Sequence, residues 1–267
     1  MSVLLAAVVG LLAGVHAATW GMYKDAPHEG FSRRKYARSP LLGLGLGVVL
    51  QRVTGLEPAR PADLVVLFGV VYVVERALAE IYKTFLREED QAKYFIPMQF
   101  HVLGRVVRRR GLRWVVGALY TAGLTGLVVA LGRLDRATPD GHGLVAVLLL
   151  GSLGGWISAL GGAWKDAPSE GFQTLKFFRS PALAALFAAG LSTLTPSILL
   201  GTLAATGFTV ATTETYKTFF FPSKPRGKFA GMPVHHPEML RVRRRFVPVY
   251  VAIWVVVAAA AIGASRG

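Results

Sequence analysis

The sequence predicts an all-α polytopic membrane protein with eight transmembrane helices, arranged as two parallel four-helix repeats around a pseudo-two-fold axis along the membrane normal. Three observations lead to this prediction. The 267 residues are 53% hydrophobic and 17% charged, whereas ordinary soluble chains are about 25% charged. The apolar residues are collected in runs of nearly the length that crosses a bilayer, about 20 residues. The order of these runs and of the basic loops between them recurs in the second half of the chain.

Each apolar run is interpreted as one crossing. The sixth and seventh runs are separated only by Thr195-Pro196-Ser197, a sequence typical of a tight turn. The first run lacks the basic segment that opens a signal peptide and has a counterpart later in the chain, so we interpret it as a mature helix. The eight predicted spans are 2–22, 40–56, 62–82, 113–131, 143–163, 181–196, 197–216 and 246–264.

Two local patterns predict how the second span begins and packs. Ser39-Pro40 is interpreted as the N-cap and first helical position of that span, and Ser180-Pro181 has the same role in the sixth. Gly43, Gly45 and Gly47 form the sequence GLGLG inside the span. Within a membrane such small residues favour close helix packing over a nucleotide-binding loop.

The positive charges predict the orientation. The loops 23–39, 82–113, 164–180 and 216–246 hold 24 Lys and Arg residues, against five in the alternate loops and the C-terminal tail. Short basic loops stay in the cytoplasm, so we expect a multi-pass protein of the cell membrane with both termini extracytoplasmic. The net charge of +15 is therefore a signal of topology and of anionic membrane lipids as partners, not of nucleic acid. The sequence leaves the oligomeric state open.

An internal duplication divides the chain into two predicted repeats, residues 1–135 and 142–267. Its clearest block has twelve identical positions out of twenty at a constant offset of 141. Each half contains four crossings, an even number, so both halves enter the membrane with the same orientation. The matched blocks are 21–40 with 162–181, 80–85 with 214–219, His101 with His236, and 108–110 with 243–245.

The repeated blocks carry charged residues that topology alone does not require. Lys and Arg at fixed spacing are typical of sites that hold phosphate oxygens. We interpret Asp25, Glu29, Asp166 and Glu170 as candidate catalytic carboxylates that position a proton or hold a divalent cation. The cofactor is unknown from sequence; Mg²⁺ is the candidate, since one or two carboxylates plus substrate phosphates usually bind it. The candidate substrate-binding residues are Lys24, Lys35, Arg38, Glu80, Tyr82, Lys83, His101, Lys165, Lys176, Arg179, Glu214, Tyr216, Lys217 and His236. The alternative interpretation is a structural ion-pair network that seals the loops.

One carboxylate is expected inside a span. Glu75 falls within the third run, and an intramembrane carboxylate is by default a functional candidate. Arg76 follows it directly and is expected to offset its charge only in part, because adjacent helical residues point apart. Glu75 aligns with Thr209, so this feature belongs to the first half alone.

Three functions remain open from the sequence, and it does not decide whether the protein is an enzyme. The leading interpretation is a cytosol-facing charged site for an anionic lipid headgroup or a phosphorylated amphiphile, with phosphate-centred lipid metabolism as the reaction. The alternatives are a transporter or lipid flippase built from a duplicated bundle, and a non-catalytic membrane scaffold. Transport sites usually lie near the membrane midplane, whereas the repeated polar residues lie at the cytoplasmic rim. That placement favours the leading interpretation.

Overall fold

The computed structural model describes residues 2–138, 141–222 and 227–266. It is all-helical, with 76% of residues in helix and eight helices in the described ranges. α5 joins Leu144–Gly151 to Leu153–Glu170, and α8 joins Met239–Val242, the 3-10 turn Arg243–Phe246 and Val247–Ala264. The helices are α1 Ser2–Glu29, α2 Arg33–Thr54, α3 Pro61–Ile81, α4 Arg110–Ala137, α5 Leu144–Glu170, α6 Thr174–Leu191, α7 Ile198–Phe219 and α8 Met239–Ala264.

Four of these helices are long and apolar enough to cross a membrane by length and composition: α1, α4, α5 and α8, within the described residues. α4 and α8 leave most of their apolar surface exposed, including Leu119, Val129, Val251 and Val255. Apolar surface of this extent marks a contact with lipid or protein. The fold is therefore consistent with a helical membrane protein.

α1 and α2 form a tight pair through glycine. A Cβ atom built on Gly10 would lie 2.1 Å from the carbonyl oxygen of Gly43, and one built on Gly47 would lie 2.2 Å from that of Ala6. The backbones of the two helices therefore touch, as the GLGLG sequence predicts for Gly43 and Gly47. Gly45 differs, because a Cβ atom added there would have no atom within 4 Å.

α3 and α7 cross at the centre of the bundle. A Cβ atom on Gly207 would lie 2.1 Å from the carbonyl oxygen of Gly69, so these two helices also meet backbone to backbone. Around this crossing the buried core collects Val66, Leu67 and Phe208. Since α3 precedes position 135 and α7 follows position 142, the core is shared by the two halves of the chain.

The helix starts at the repeated motif differ from the prediction. α2 begins at Arg33, where the Ser32 side chain accepts a hydrogen bond from the Lys35 backbone N–H, and Pro40 lies inside the helix. Pro181 likewise lies inside α6, which begins at Thr174. The N-cap role predicted for Ser39 and Ser180 is therefore wrong. A serine seven residues earlier caps α2, and the helix continues past the proline with one hydrogen bond fewer.

The helices that precede the motif are also longer than the predicted spans. α1 continues through Pro27 to Glu29, and α5 continues through Pro168 to Glu170. Each ends at a glycine with positive φ, 74° at Gly30 and 77° at Gly171. The Lys-Asp-Ala-Pro-x-Glu sequence consequently forms the last two turns of a helix and not a loop.

Two long loops lie at the same end of the bundle. Loop A, residues 87–109, follows a π-helical turn at Tyr82–Leu86 and contains a small antiparallel hairpin of β1 His101–Val102 and β2 Arg105–Val106. Loop B comprises the described residues 220–222 and 227–238. The two loops meet through a hydrogen bond of 2.8 Å from the Phe95 backbone N–H to the Lys228 carbonyl oxygen.

Candidate functional site

The two carboxylates of the first motif bind one lysine from loop B. Asp25 and Glu29 are four residues apart on α1, so their side chains lie on the same face of the helix. Lys228 Nζ lies 2.9 Å from Asp25 Oδ2 and 3.1 Å from Glu29 Oε1. Lys35 Nζ, from α2, lies 2.9 Å from the other Glu29 oxygen.

The second motif has the same spacing and a different lysine. Asp166 and Glu170 are again one helical turn apart, here on α5. Lys176 Nζ, from α6, lies 2.7 Å from Asp166 Oδ2 and 2.8 Å from Glu170 Oε2. In both motifs the helical spacing of the carboxylates therefore fixes one ammonium group between them.

A second set of ion pairs joins the two halves of the chain crosswise. Lys24 Nζ lies 3.7 Å from Glu214 Oε2, and Lys165 Nζ lies 3.7 Å from Glu80 Oε2. Each glutamate also binds the lysine three residues later on its own helix, Lys217 in one case and Lys83 in the other. Each cluster is thus one carboxylate between two lysines, with one lysine from each half.

These charges surround one large cavity of about 1110 Å³. Among the described residues, eleven cations and five carboxylates line it. Arg76, Arg87 and Lys176 also pair with Glu75, Glu89 and Glu170, which do not line the cavity, so counting these partners leaves an excess of three positive charges. We call this charged lining the cationic rim. Its members are Lys24, Asp25, Glu29, Lys35, Arg38, Arg76, Glu80, Lys83, Arg87, Lys165, Asp166, Lys176, Arg179, Glu214, Lys217 and Lys228.

The cavity continues from the cationic rim into an apolar region between α3, α4, α5 and α7. On α4 the lining residues fall between positions 116 and 131, and on α5 they begin at Gly154. Along α7 they extend from Lys217 back to Thr202, a length of about 22 Å at roughly 1.5 Å per residue. The site therefore combines a charged end with a deep apolar end.

Each long loop covers the motif of the other half. In loop A, the ring of His101 stacks on Trp164 of α5 with centroids 4.6 Å apart. In loop B, the His236 backbone N–H donates to the Pro27 carbonyl oxygen at 2.9 Å, and Phe229 stacks on His28. The two loops are therefore held against the cavity by contacts that cross between the halves.

Burial and nearby charge have opposite effects on the pKa of Lys228 and the same effect on the pKa of His101. Burial works to lower the pKa of Lys228, but the facing carboxylates of Asp25 and Glu29 outweigh it and raise the pKa above its usual range. Burial and the nearby charge of Lys165 lower the pKa of His101. Lys228 is therefore a cation and His101 a neutral ring at physiological pH.

The structure brings most of the residues selected from the sequence to the cavity, but not all. Tyr82 and Tyr216 are exposed, at 45% and 40%, and do not line it. Glu170 does not line the cavity, but it binds Lys176, which does. His101 and His236 lie in the covering loops, where His236 Nδ1 is 3.4 Å from Glu238. Their roles as site residues stay predictions.

The lining residues that were not selected from the sequence include Lys228, Arg76, Arg87 and Trp20. The available signal for Lys228 is its offset of 135 from Lys93, the same offset that relates His236 to His101. Arg76 and Trp20 have no charged or aromatic counterpart in the second half, so the duplication does not indicate them.

The expectation that the Glu75 and Arg76 side chains point apart is wrong. The guanidinium turns back along α3 and forms a two-point contact, with Nε 2.5 Å and an NH2 nitrogen 2.7 Å from the Glu75 oxygens. It also donates to Ser39 Oγ at 3.3 Å and lies over the Trp20 ring. Adjacent residues of a helix point in different directions, but the arginine side chain is long enough to reach the neighbouring carboxylate.

A divalent cation would need the substrate to complete its coordination. In residues 2–138, 141–222 and 227–266, no three His, Asp or Glu side chains are grouped so as to hold a metal ion. The motif carboxylates occur as pairs, each with a lysine between its members. Mg²⁺ bound by one pair together with substrate phosphate oxygens would therefore have to take the place of that lysine.

Comparison with known proteins adds no family to this description: no family model, no curated protein and no solved structure matches the chain.

Proposed function

We propose that the chain crosses the cell membrane eight times as two parallel four-helix repeats, with both termini extracytoplasmic. The order of the eight helices and the positions of the basic loops support this topology. The two crossed ion pairs, Lys24 with Glu214 and Lys165 with Glu80, support the pseudo-two-fold relation, since they join equivalent positions at equal distances of 3.7 Å. The axis of the repeats passes between these pairs in this proposal.

Single-cysteine labelling tests the topology, because the natural chain contains no cysteine. We expect Arg60→Cys and Ser192→Cys to react with a membrane-impermeant maleimide on intact cells. Arg34→Cys and Arg109→Cys should react only after the membrane is opened. All four residues are exposed, so burial does not explain a missing reaction. Protection of Arg60→Cys on intact cells, with labelling after lysis, would rule out the crossing by α2 and α3.

We propose that the cavity is a cytosol-facing site for the phosphate group of an anionic membrane lipid or phosphorylated amphiphile. The observation that carries this proposal is the excess of cations over carboxylates around a cavity of about 1110 Å³ whose far end is apolar. A structural network that only sealed the loops gives no role to Arg38, which lines the cavity and forms no ion pair among the described residues. An anion with an apolar body satisfies both ends of the cavity.

The proposed reaction is phosphate-centred lipid metabolism. Lys24 and Lys165 would bind phosphate oxygens from opposite sides, while the Asp25–Glu29 and Asp166–Glu170 pairs hold further lysines in place and supply the carboxylates for proton transfer. A divalent cation, if the reaction uses one, would join one carboxylate pair to the phosphate. The protein's partners in this proposal are the lipids of the surrounding membrane.

Arg38 offers a direct test with a matched control. It lines the cavity, is exposed, and forms no ion pair among the described residues, so its removal leaves no carboxylate unpaired. We expect Arg38→Gln to weaken binding of phosphatidate in phosphatidylcholine nanodiscs by about tenfold, as loss of one charge-assisted hydrogen bond implies. Arg34→Gln, on the same helix and outside the cavity, should bind as the natural protein does. Equal affinities for all three proteins, or no binding at all, would contradict the proposal.

The depth of the cavity favours a lipid transporter or flippase as the second candidate. Its lining along α7 covers about 22 Å, more than half of a hydrocarbon core about 30 Å thick. Movement of a fluorescent anionic lipid between the leaflets of vesicles containing the protein would favour this candidate over a binding site that serves one leaflet.

A further inference from the structure

The cavity opens between only one of two equivalent helix pairs. On one side, α4 and α5 both contribute lining residues, among them Leu124 and Ile157. We call this gap the slot. At the equivalent position in the other half, α8 packs on α1, where the His16 ring stacks on Tyr250 with centroids 4.1 Å apart and contacts Trp254.

The difference follows from side-chain size at aligned positions. In the closed gap, the Tyr72 hydroxyl lies 3.1 Å from His16 Nδ1 and accepts a hydrogen bond of 2.8 Å from Trp20 Nε1. At the offsets of the duplication, the residues aligned with His16, Trp20 and Tyr72 are Ile157, Gly161 and Thr206. These three residues line the cavity. Gly161 and Thr206 are much smaller than Trp20 and Tyr72, whereas Ile157 is an aliphatic side chain of about the same volume as His16. The rings of Trp20 and Tyr72 therefore occupy space beside the closed gap that the smaller Gly161 and Thr206 leave empty beside the slot.

We propose that the slot holds the hydrocarbon tail of a phosphate-headed lipid whose headgroup lies at the cationic rim, an inference that rests on the proposed function. A lipid that enters from the membrane keeps its tail in an apolar environment only if the headgroup site and the bilayer are joined by an apolar path. The slot supplies that path, because it is continuous with the cationic rim and is walled by Val116, Leu124, Leu131, Ile157 and Leu160. The closed gap supplies none, so the tail occupies one side of the molecule.

The slot can be blocked without disturbing the helix that borders it. A Cβ atom on Gly161 has no atom within 4 Å, so Gly161→Trp places in the slot the residue that Trp20 places in the closed gap. Gly123 on α4 has equally open surroundings and does not line the cavity. Gly123→Trp is therefore the matched control for the added bulk.

The test uses hexadecyl phosphate with a photoreactive diazirine at the end of its tail, in phosphatidylcholine nanodiscs, and separate binding of inorganic phosphate. We expect labelled peptides from α4 and α5, loss of that labelling in Gly161→Trp, and retained labelling in Gly123→Trp. Binding of inorganic phosphate should be the same in all three proteins, because the cationic rim is unchanged.

Each other outcome overturns a defined statement. Labelling spread over α8 and α1, or unchanged labelling in Gly161→Trp, would show that the slot does not hold the tail. If inorganic phosphate still bound, the proposed function would not be contradicted. Tail labelling that excess inorganic phosphate does not displace would mean a lipid bound away from the cationic rim, which also overturns the inference. Absence of binding by both probes would overturn the proposed function and the inference together.

Discussion

Replacing Gly43 with valine is expected to abolish the packing of α1 on α2 and, with it, the folded protein. A Cβ atom at this position would lie 2.3 Å from the Gly10 carbonyl oxygen and 3.1 Å from Gly14. The obstructing atoms belong to the backbone of a helix, so no side-chain rotation relieves the contact. Overpacked cores lose about 1–3 kcal/mol and occasionally more, and we expect this variant to reach or exceed the upper value.

The measurement is the folded fraction by size-exclusion chromatography in detergent, together with the Tm followed by tryptophan fluorescence. Gly45→Val, two residues away in the same helix, is the matched control, because Gly45 is exposed and a Cβ atom added there has no atom within 4 Å. It should keep the natural Tm. A monodisperse Gly43→Val protein with unchanged Tm would mean that the backbone contact between α1 and α2 does not exist in solution.

Much of the fold follows from features that are local in the sequence. Apolar runs of membrane length predict helices wherever they occur, and the structure has a helix at each of the eight predicted runs. The carboxylate spacing in the motif is also local. Asp25 and Glu29, like Asp166 and Glu170, are four residues apart, so any helix through them presents both to one lysine.

The helix starts were missed for a different reason. Ser39-Pro40 has the form of a helix start, and only the contacts around it favour a longer helix. The Ser39 carbonyl lies 2.2 Å from a Cβ built on Gly14, so this stretch of α2 is part of the tight pair with α1. Packing between helices therefore outweighs the local signal of serine followed by proline.

The ion-pair partners within the site depend on which helices are neighbours. The sequence of one half alone does not indicate which helices of the other half lie beside it. Lys24 binds Glu214, 190 positions away in the sequence. Lys228 lies in loop B, in the second half of the chain, and binds Asp25 in the first half. The closed and open gaps differ at a few aligned positions, among them Trp20 and Gly161, and Tyr72 and Thr206. The effect of these positions on the cavity follows only from the packing of α8 on α1, which the sequence does not predict.

Simultaneous removal of Lys24 and Lys165 is expected to weaken phosphatidate binding by a factor different from the product of the two single losses. The two lysines line one cavity and bind Glu214 and Glu80 respectively. Those two glutamates line the same cavity. Each single substitution to alanine removes one cationic contact with the anion, worth about tenfold in affinity. Each substitution also removes one lysine partner of a glutamate, and the negative charge of that glutamate then repels the anion that the remaining lysine binds.

The measurement is a double-mutant cycle on the Kd for phosphatidate in nanodiscs, with Lys24→Ala, Lys165→Ala and the double variant. Residues that share a site are coupled by about 0.5–3 kcal/mol, whereas independent ones add within about 0.3–0.5 kcal/mol. The control cycle pairs Lys165→Ala with Arg34→Ala, which is exposed and outside the cavity, and should be additive. Additivity in the Lys24–Lys165 cycle as well would place the two halves in separate sites. In that case the anion contacts one motif at a time, and the crossed ion pairs serve only to hold α1 to α7 and α5 to α3.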